Sequence, residues 1–153
     1  MIYLEIFALF LLILLNGLLA MSEFAIVSSR KSRLEYLEGQ GNTGARYALR
    51  LKSDPGRFLS TVQIGITFVG VIAGAFSGAT LGQRLGSWLN SFSLFSPYGI
   101  PAGIGATVIA ITYFSLVLGE IAPKRIALAH PESVASFAAR FMWVMSRLSL
   151  IHI

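Results

Sequence analysis

The sequence predicts an all-α membrane protein, and three observations support this class. Charged residues make up 12% of the 153 residues, whereas soluble domains carry about 25%. Hydrophobic residues make up 55%, and the mean hydropathy is +0.72. The apolar residues are concentrated in three runs long enough to cross a bilayer. An ordinary soluble monomer is therefore excluded, and the lack of cysteine also excludes a disulfide scaffold, a thiolate metal site and a cysteine nucleophile.

The three apolar runs are the predicted membrane spans. They cover residues 2–27, 58–81 and 100–121, and each exceeds the roughly 18 residues that a helix needs to cross the hydrocarbon core. A cleaved signal peptide is the alternative for the first run. Since no Lys or Arg precedes Arg30, a retained span is favoured. Pro123 marks the expected end of the third span, because proline cannot continue a helical hydrogen-bond ladder.

The positive charges predict the orientation. Only Arg84 lies between the second and third spans, and Lys124 and Arg125 follow the third. Seven bases lie between the first two spans: Arg30, Lys31, Arg33, Arg46, Arg50, Lys52 and Arg57. The predicted location is the inner (plasma) membrane of the cell. The positive-inside rule places residues 30–57 and 122 onward on its cytoplasmic side and the N-terminus on its outer side. Because the bases flank the spans and form no separate basic module, nucleic acid is not an expected partner, whereas the lipid bilayer is.

Two amphipathic regions accompany the spans. Residues 30–56 predict a cytoplasmic helical hairpin: Ser32 and Glu35 have capping-box spacing, and Asn42 or Thr43 could cap a second helix.

Residues 132–148 predict an amphipathic juxtamembrane helix. Arg140, Trp143 and Arg147 recur at three- and four-residue steps on one face. The opposite face is apolar: Val134, Phe137, Ala138, Phe141, Met145 and Leu148. A helix lying in the interface, with the Arg and Trp side chains as headgroup-level anchors, is favoured over a fourth span.

Glycines on the second span predict a close helix contact. Gly70, Gly74, Gly78 and Gly82 recur every four residues, which makes a smooth stripe that another backbone can approach. Packing within one chain explains the stripe as well as a homodimer interface does, and the spacing leaves both open.

Two acids lie inside the predicted spans. Glu23 and Glu120 would be costly as free ions in the bilayer, so each should be paired, protonated or bound to a cation. Counted from the cytoplasmic flanks, Gly65 and Thr67 of the second span fall at a similar depth.

Neutral oxygens accompany these acids. Ser22 precedes Glu23, and Gly119 precedes Glu120 close to the expected helix break. Carboxylates, hydroxyls and freed carbonyls are the oxygen ligands that Mg²⁺ prefers. Simpler roles remain open: Glu23 could pair with a base at the membrane edge, Glu120 with Lys124 or Arg125, and the hydroxyls with their own helices.

Three segments resemble the signature motifs of the CNNM/CorC transmembrane domain, which bacterial proteins labelled hemolysin-family or HlyC/CorC also carry. The segments, in the family order, are Asn16 to Ala25, Thr61 to Thr67, and the "GE-x-x-PK" segment Leu118 to Lys124. The resemblance covers essentially the whole chain and implies a domain over 1–148 with three transmembrane helices, the hairpin and the juxtamembrane helix. It further implies a homodimer, a Mg²⁺ site and Na⁺-coupled Mg²⁺ export, with ligands carried over to Ser22, Glu23, Gly119 and Glu120 and with Gly65 and Thr67 nearby.

The chain departs from that pattern at two positions. Many members of the family have asparagine where this chain has Ile66, and some have serine where it has Ala20; each change removes a possible oxygen ligand. Such proteins usually continue into a pair of ATP-binding CBS modules and a C-terminal domain. Neither is expected within these residues, 149–153 are a doubtful tail, and the chain is interpreted as a fragment of a longer protein.

Two functional hypotheses follow. The first is a divalent-cation transporter domain, with Mg²⁺ and possible Na⁺ as its ions. The second is a membrane anchor and dimerisation module for a cytoplasmic nucleotide-sensing region. A secreted haemolytic toxin is a weak third option, and an enzyme is not expected, since no nucleophile–base pair or phosphate-binding loop is evident.

Overall fold

The computed structural model describes residues 2–149, with side chains to residue 147. The predicted tail at 149–153 therefore lies outside the described residues, apart from the backbone of Ser149. The secondary structure of the described part is helical. Its elements are α1 (Ile2–Ser28), α2 (Lys31–Gly39), α3 (Thr43–Ser53), α4 (Pro55–Ser77), the π-helical segment π1 (Gly78–Gly82), α5 (Gln83–Asn90), α6 (Gly99–Leu116), the π-helical segment π2 (Val117–Ile121), α7 (Ala122–Ala129) and α8 (Pro131–Ser149).

Three helices are long and apolar enough to span a membrane, which confirms the predicted fold class. They cover Ile2–Ser28, Pro55–Asn90 and Gly99–Ala129. The last two exceed the predicted spans because π1 and π2 continue the helix where the sequence suggested an end. Pro123 does not end the third helix. It occupies the first turn of α7, where a missing N–H is tolerated.

Helix α1 lies at the centre of the fold and packs against α4, π2, α7 and α8. The main buried cluster lies around its second half, where Ile26 meets Leu34, Phe58 and Ala139. Elsewhere the long helices leave large apolar side chains exposed, such as Phe68 and Ile109. A chain that exposes so much apolar surface on helices of spanning length is suited to a lipid environment.

The two short helices α2 and α3 pack against each other. Arg46 of α3 pairs with Glu38 of α2 at 3.4 Å, and Asn42 caps α3 by accepting the N–H of Ala45 at 3.1 Å. The predicted capping box is wrong, because α2 begins at Lys31 and no side chain caps it; Ser32 is already inside the first turn. The cytoplasmic location of this hairpin stays a prediction.

Helix α8 packs through small residues onto α1 and α3. Ala135, Ala139 and Met142 form its buried face. Phe137 and Phe141 belong to the face that the sequence predicted as apolar. They lie on a different side of the helix from the buried face and are exposed. The helix therefore packs mainly through alanines and presents its two phenylalanine rings outward, which is compatible with an interfacial position that stays a prediction.

The second and third long helices meet through glycines at their ends opposite the α2–α3 hairpin. A Cβ on Gly103 of α6 would lie 2.2 Å from the backbone nitrogen of Gly86 on α5, so the two backbones are in direct contact. Arg84 of α5 also pairs with Glu5 of α1 at 2.8 Å. Together these contacts join the ends of the three long helices that lie opposite the α2–α3 hairpin.

Lys52 ties the hairpin to α1 and gives a pH-dependent prediction. Its Nζ donates to the carbonyls of Ile26 at 3.0 Å and Val27 at 2.8 Å, at the end of α1 where carbonyls lack helical donors. Burial lowers the pKa of Lys52 in the folded protein. Between that lowered pKa and the ordinary lysine value the unfolded chain binds more protons, so the stability contributed here rises with pH in this window.

We therefore expect the unfolding midpoint of the wild type in detergent to rise between neutral pH and pH ~10 relative to that of Lys52→Met. Lys31→Met is the matched control, because it removes a lysine from the solvent-exposed face of α2. A wild-type midpoint that falls with pH relative to Lys52→Met would contradict the sign of the expected effect.

Candidate cation site

The candidate site lies where α1 meets the π2 segment. Gly17 permits this contact: a Cβ there would lie 3.0 Å from both the carbonyl oxygen of Leu118 and Cγ of Pro123. Gly119 meets the same surface, with its Cβ position 3.4 Å from Asn16 Nδ2. Gly17 of the first motif thus leaves space for the third motif around Gly119, although more than 100 residues separate the two motifs.

Asn16 is the polar centre of this contact. Its Nδ2 donates to the carbonyl oxygen of Gly119 at 3.3 Å. In an α-helix that carbonyl would accept from residue 123, but residue 123 is a proline without an N–H. The Asn16 amide donates to the carbonyl instead of that residue. The other amide atom, Oδ1, is buried and has no hydrogen-bond partner among the described residues. A buried acceptor of this kind is suited to a ligand that brings a proton or a positive charge.

Glu120 and Lys124 form an ion pair one helical turn apart, across the end of π2. The Lys124 Nζ also lies 4.7 Å from the ring centroid of Phe24 on α1, a cation–π distance. The ammonium group therefore sits between a carboxylate and an aromatic face. Of the two simpler roles considered for Glu120, pairing with Lys124 is the one the structure contains.

Glu23 precedes Phe24, whose ring centroid lies 4.7 Å from the Lys124 ammonium, and it is therefore grouped with these charges. It is half-buried, and seven residues place it on the same side of α1 as Asn16. Ser22 is buried and donates to the carbonyl of Leu18 at 2.6 Å, so its proton is committed within the helix while its oxygen lone pairs remain. The cluster Asn16, Glu23, Gly119, Glu120 and Lys124 is called the π2 cluster below.

The second-helix candidates lie elsewhere. Gly65 faces α1 at Leu19, whose Cδ1 is 3.2 Å from the glycine's Cβ position. Thr67 is exposed and shares the outer face of α4 with Gln63. Since π2 and α4 each pack on α1, the described chain brings the first and third motifs together but does not bring Thr67 to them.

The glycines of the predicted stripe differ in their surroundings. A Cβ on Gly70, Gly74 or Gly78 would have no atom within 4 Å, whereas a Cβ on Gly82 would contact Ile104. Packing within the chain therefore explains only the last glycine of the stripe.

The three predicted interface anchors all lie on α8. The ring centroids of Trp143 and Tyr47 lie 5.2 Å apart, and the Arg147 guanidinium carbon lies 4.4 Å from the Trp143 ring centroid. Arg140 is exposed and lines a shallow cavity between α3 and α8.

The π2 cluster is rich in oxygen but poor in the ligands of transition metals. Among residues 2–147 no group of three or more His, Asp, Glu or Cys side chains could hold a metal ion. Two carboxylates, an amide oxygen and backbone carbonyls are hard ligands, which suit Mg²⁺ with retained waters or an alkylammonium ion. Asn16 was not among the candidate ligands from sequence, although an amide within an apolar run was a signal that could have found it.

Comparisons with known proteins identify the family of this chain. The family model described as "Cyclin M transmembrane N-terminal domain" matches residues 6–151. UPF0053 protein sll0260 of Synechocystis sp. is 49% identical over 95% of this chain. Polyamine export proteins of Haemophilus influenzae and Escherichia coli are 29% and 33% identical over 85% and 81% of it. The chain spans about a third of the length of these relatives, at 33%, 30% and 28%. It therefore belongs to the CNNM family and forms that family's transmembrane domain.

Proposed function

We propose that this chain is the membrane domain of a cation exporter and that the π2 cluster is where the cation binds. The observation that carries this proposal is the position of the Lys124 ammonium between the Glu120 carboxylate and the Phe24 ring. A positive charge is already stabilised there by the chain itself. Half-buried Glu23 and the orphan Oδ1 of Asn16 add acceptors to the same place.

Mg²⁺ is the first candidate cargo, with inward Na⁺ movement as the candidate driving force. Two carboxylates would balance the divalent charge, and Asn16 Oδ1 could replace one of its waters. Mg²⁺ gives up water reluctantly, so a site with few protein ligands would hold it partly hydrated. The ion would have to displace Lys124 from Glu120, and return of the lysine would then promote release.

A polyamine is the second candidate, and the same ion pair favours it. Several similar proteins carry the name polyamine export protein. A polyamine is a chain of alkylammonium groups, and the side chain of Lys124 is chemically one such group. A site that accepts this ammonium on a carboxylate and an aromatic ring is suited to a free one of the same size.

Lys124→Met tests both candidates. Removing the internal ammonium frees Glu120, so we expect the affinity for the cargo to rise about tenfold or more. Affinity is measured as thermal stabilisation of the purified protein in detergent by Mg²⁺ and, separately, by 1,4-diaminobutane. Arg125→Met is the matched control, since it removes a neighbouring charge.

Each cation gives an independent result in this experiment. The one whose binding strengthens in Lys124→Met but not in Arg125→Met is the cargo of the π2 cluster. If neither cation stabilises the wild type or the variant, the cluster is not a cation site, and the membrane-anchor hypothesis takes precedence.

We further propose that the exposed glycines of α4 form a homodimer interface. Gln63, Thr67, Gly70 and Gly74 follow one another along the outer face of α4 at three- and four-residue steps. Amides and hydroxyls that face lipid without a partner are unfavourable, and small residues allow another helix to approach. A second copy of α4 would cover both.

Gly74→Leu is therefore expected to shift the protein from dimer to monomer in detergent, as measured by light scattering. Gly39→Leu, at a glycine of α2 that also has open space around it, should leave the mass unchanged. If Gly74→Leu stays dimeric, the interface lies elsewhere. Under the anchor hypothesis the same variant would abolish function while Glu120→Ala would not.

A further inference from the structure

A separate cavity of about 440 Å³ lies where α3, α4 and α8 meet. Three arginines line it, and each comes from a different helix: Arg50 from α3, Arg57 from the first turn of α4 and Arg147 from the end of α8. Nothing in the local sequence groups them, so the tertiary fold creates the cluster.

The positive charge of this cavity is not neutralised by the described part of the chain. None of the three arginines forms an ion pair with a carboxylate there. The one acid in the lining is Asp54, and its Oδ1 accepts the backbone N–H of Arg57 at 3.5 Å as the cap of α4. Three arginines that line one cavity, with one carboxylate already used as a helix cap, favour an anion there, and the planar donor array of a guanidinium group matches phosphate.

The lining of the cavity combines charged and apolar residues. Leu51 and Phe58 lie beneath it as buried side chains, and the partly exposed indole of Trp143 provides apolar surface. Trp143 forms a wall and holds the Arg147 guanidinium 4.4 Å from its ring centroid. A free phosphate would use the arginines and leave this apolar surface unused, whereas an amphiphilic phosphate would use both.

The position of the cavity also favours an amphiphile. Asp54 and Arg57 flank Pro55, the first residue of the long helix Pro55–Asn90 that can cross a membrane. The cavity therefore lies at the polar end of a span, which is the level of lipid headgroups. We propose that it binds an anionic phospholipid, with the phosphate on Arg50, Arg57 and Arg147 and the start of the acyl region against Trp143.

The test compares lipids and free phosphate on the same purified chain. Phosphatidylglycerol, zwitterionic phosphatidylcholine and inorganic phosphate are titrated separately into the detergent-solubilised protein, and the unfolding midpoint is recorded. Phosphatidylglycerol should raise the midpoint at the lowest concentrations, because a ligand that binds only the folded state stabilises it. Arg57→Gln and Arg147→Gln should each weaken this binding roughly tenfold.

Two further variants make the result specific. Arg140→Gln removes the same charge from α8 at a position that lines a different cavity, and it should bind phosphatidylglycerol like the wild type. Arg57→Lys keeps the positive charge but removes the bidentate guanidinium donor, so the binding of phosphatidylglycerol should weaken by several-fold.

Three outcomes would overturn the proposal. If phosphatidylglycerol gives no shift in the wild type, the cavity is not a lipid site. If Arg140→Gln weakens binding as much as Arg147→Gln, the effect is diffuse surface charge. If inorganic phosphate gives the same arginine-dependent shift at the same concentration, the site takes free phosphate rather than a lipid.

Discussion

Glu120→Gln should lower cation affinity about a hundredfold and abolish export of the same cation from proteoliposomes. The change keeps the shape of the side chain but removes the charge that pairs with Lys124. Glutamine keeps a side-chain oxygen that can accept from the Lys124 ammonium, and the unfolding midpoint in detergent checks that the fold is retained. Binding and flux should thus fail in a protein that still folds.

The matched control is Glu35→Gln. Glu35 also pairs with a lysine one turn away, Lys31, at 3.7 Å, but on the surface of α2 and far from π2 in sequence. It should leave cation binding and flux unchanged. If Glu120→Gln retains wild-type flux for both Mg²⁺ and 1,4-diaminobutane, Glu120 is a structural partner of Lys124, and the proposed exporter site is wrong.

Gly103→Ala should separate α5 from α6 at the end of the molecule opposite the α2–α3 hairpin. The added Cβ would lie 2.2 Å from the nitrogen and 2.4 Å from Cα of Gly86, and neither backbone atom can move without shifting α5. Overpacking of this kind costs typically about 1–3 kcal/mol. The expected result is a lower unfolding midpoint in detergent, with faster amide hydrogen exchange in α5 and the first turns of α6.

Gly105→Ala is the control on the same helix. No atom lies within 4 Å of its Cβ position, and alanine is about 1 kcal/mol better than glycine inside a helix. This variant should therefore be as stable as the wild type or slightly more stable. Equal destabilisation by both substitutions would mean that the α5–α6 contact does not depend on backbone approach at Gly103.

The features that follow from composition and period were predicted from the sequence. The three spans could be read from runs of apolar residues, because the bilayer fixes the length of helix it requires. Counting residues from the cytoplasmic flanks placed Glu23, Glu120 and Thr67 at a similar depth. The structure brings the first and third motifs together there, but not Thr67.

The features that depend on tertiary geometry were not predicted. A π turn such as π2 changes hydrogen bonding by one residue and leaves the apolar pattern intact, so Pro123 suggested an end where the helix continues. Asn16 has its role only because the fold places it against the Gly119 carbonyl, which lies 103 residues away in the sequence. Thr67 was predicted at the same depth as Glu23 and Glu120, but it faces away from them. Counting residues along a helix gives the depth of a side chain and not the side of the helix on which it lies.

Asp54 is the single residue that connects α3 to α4. It closes the end of α3 and caps the start of α4, so one residue separates the surface hairpin from the second long helix. α3 is in turn held against α8 at Gly44, where a Cβ would come 2.0 Å from the carbonyl of Ser136. A rotation of α8 would therefore move α3 with it. Because only one residue connects α3 to α4, that movement would be transmitted directly to the second long helix and would turn it about its hairpin end.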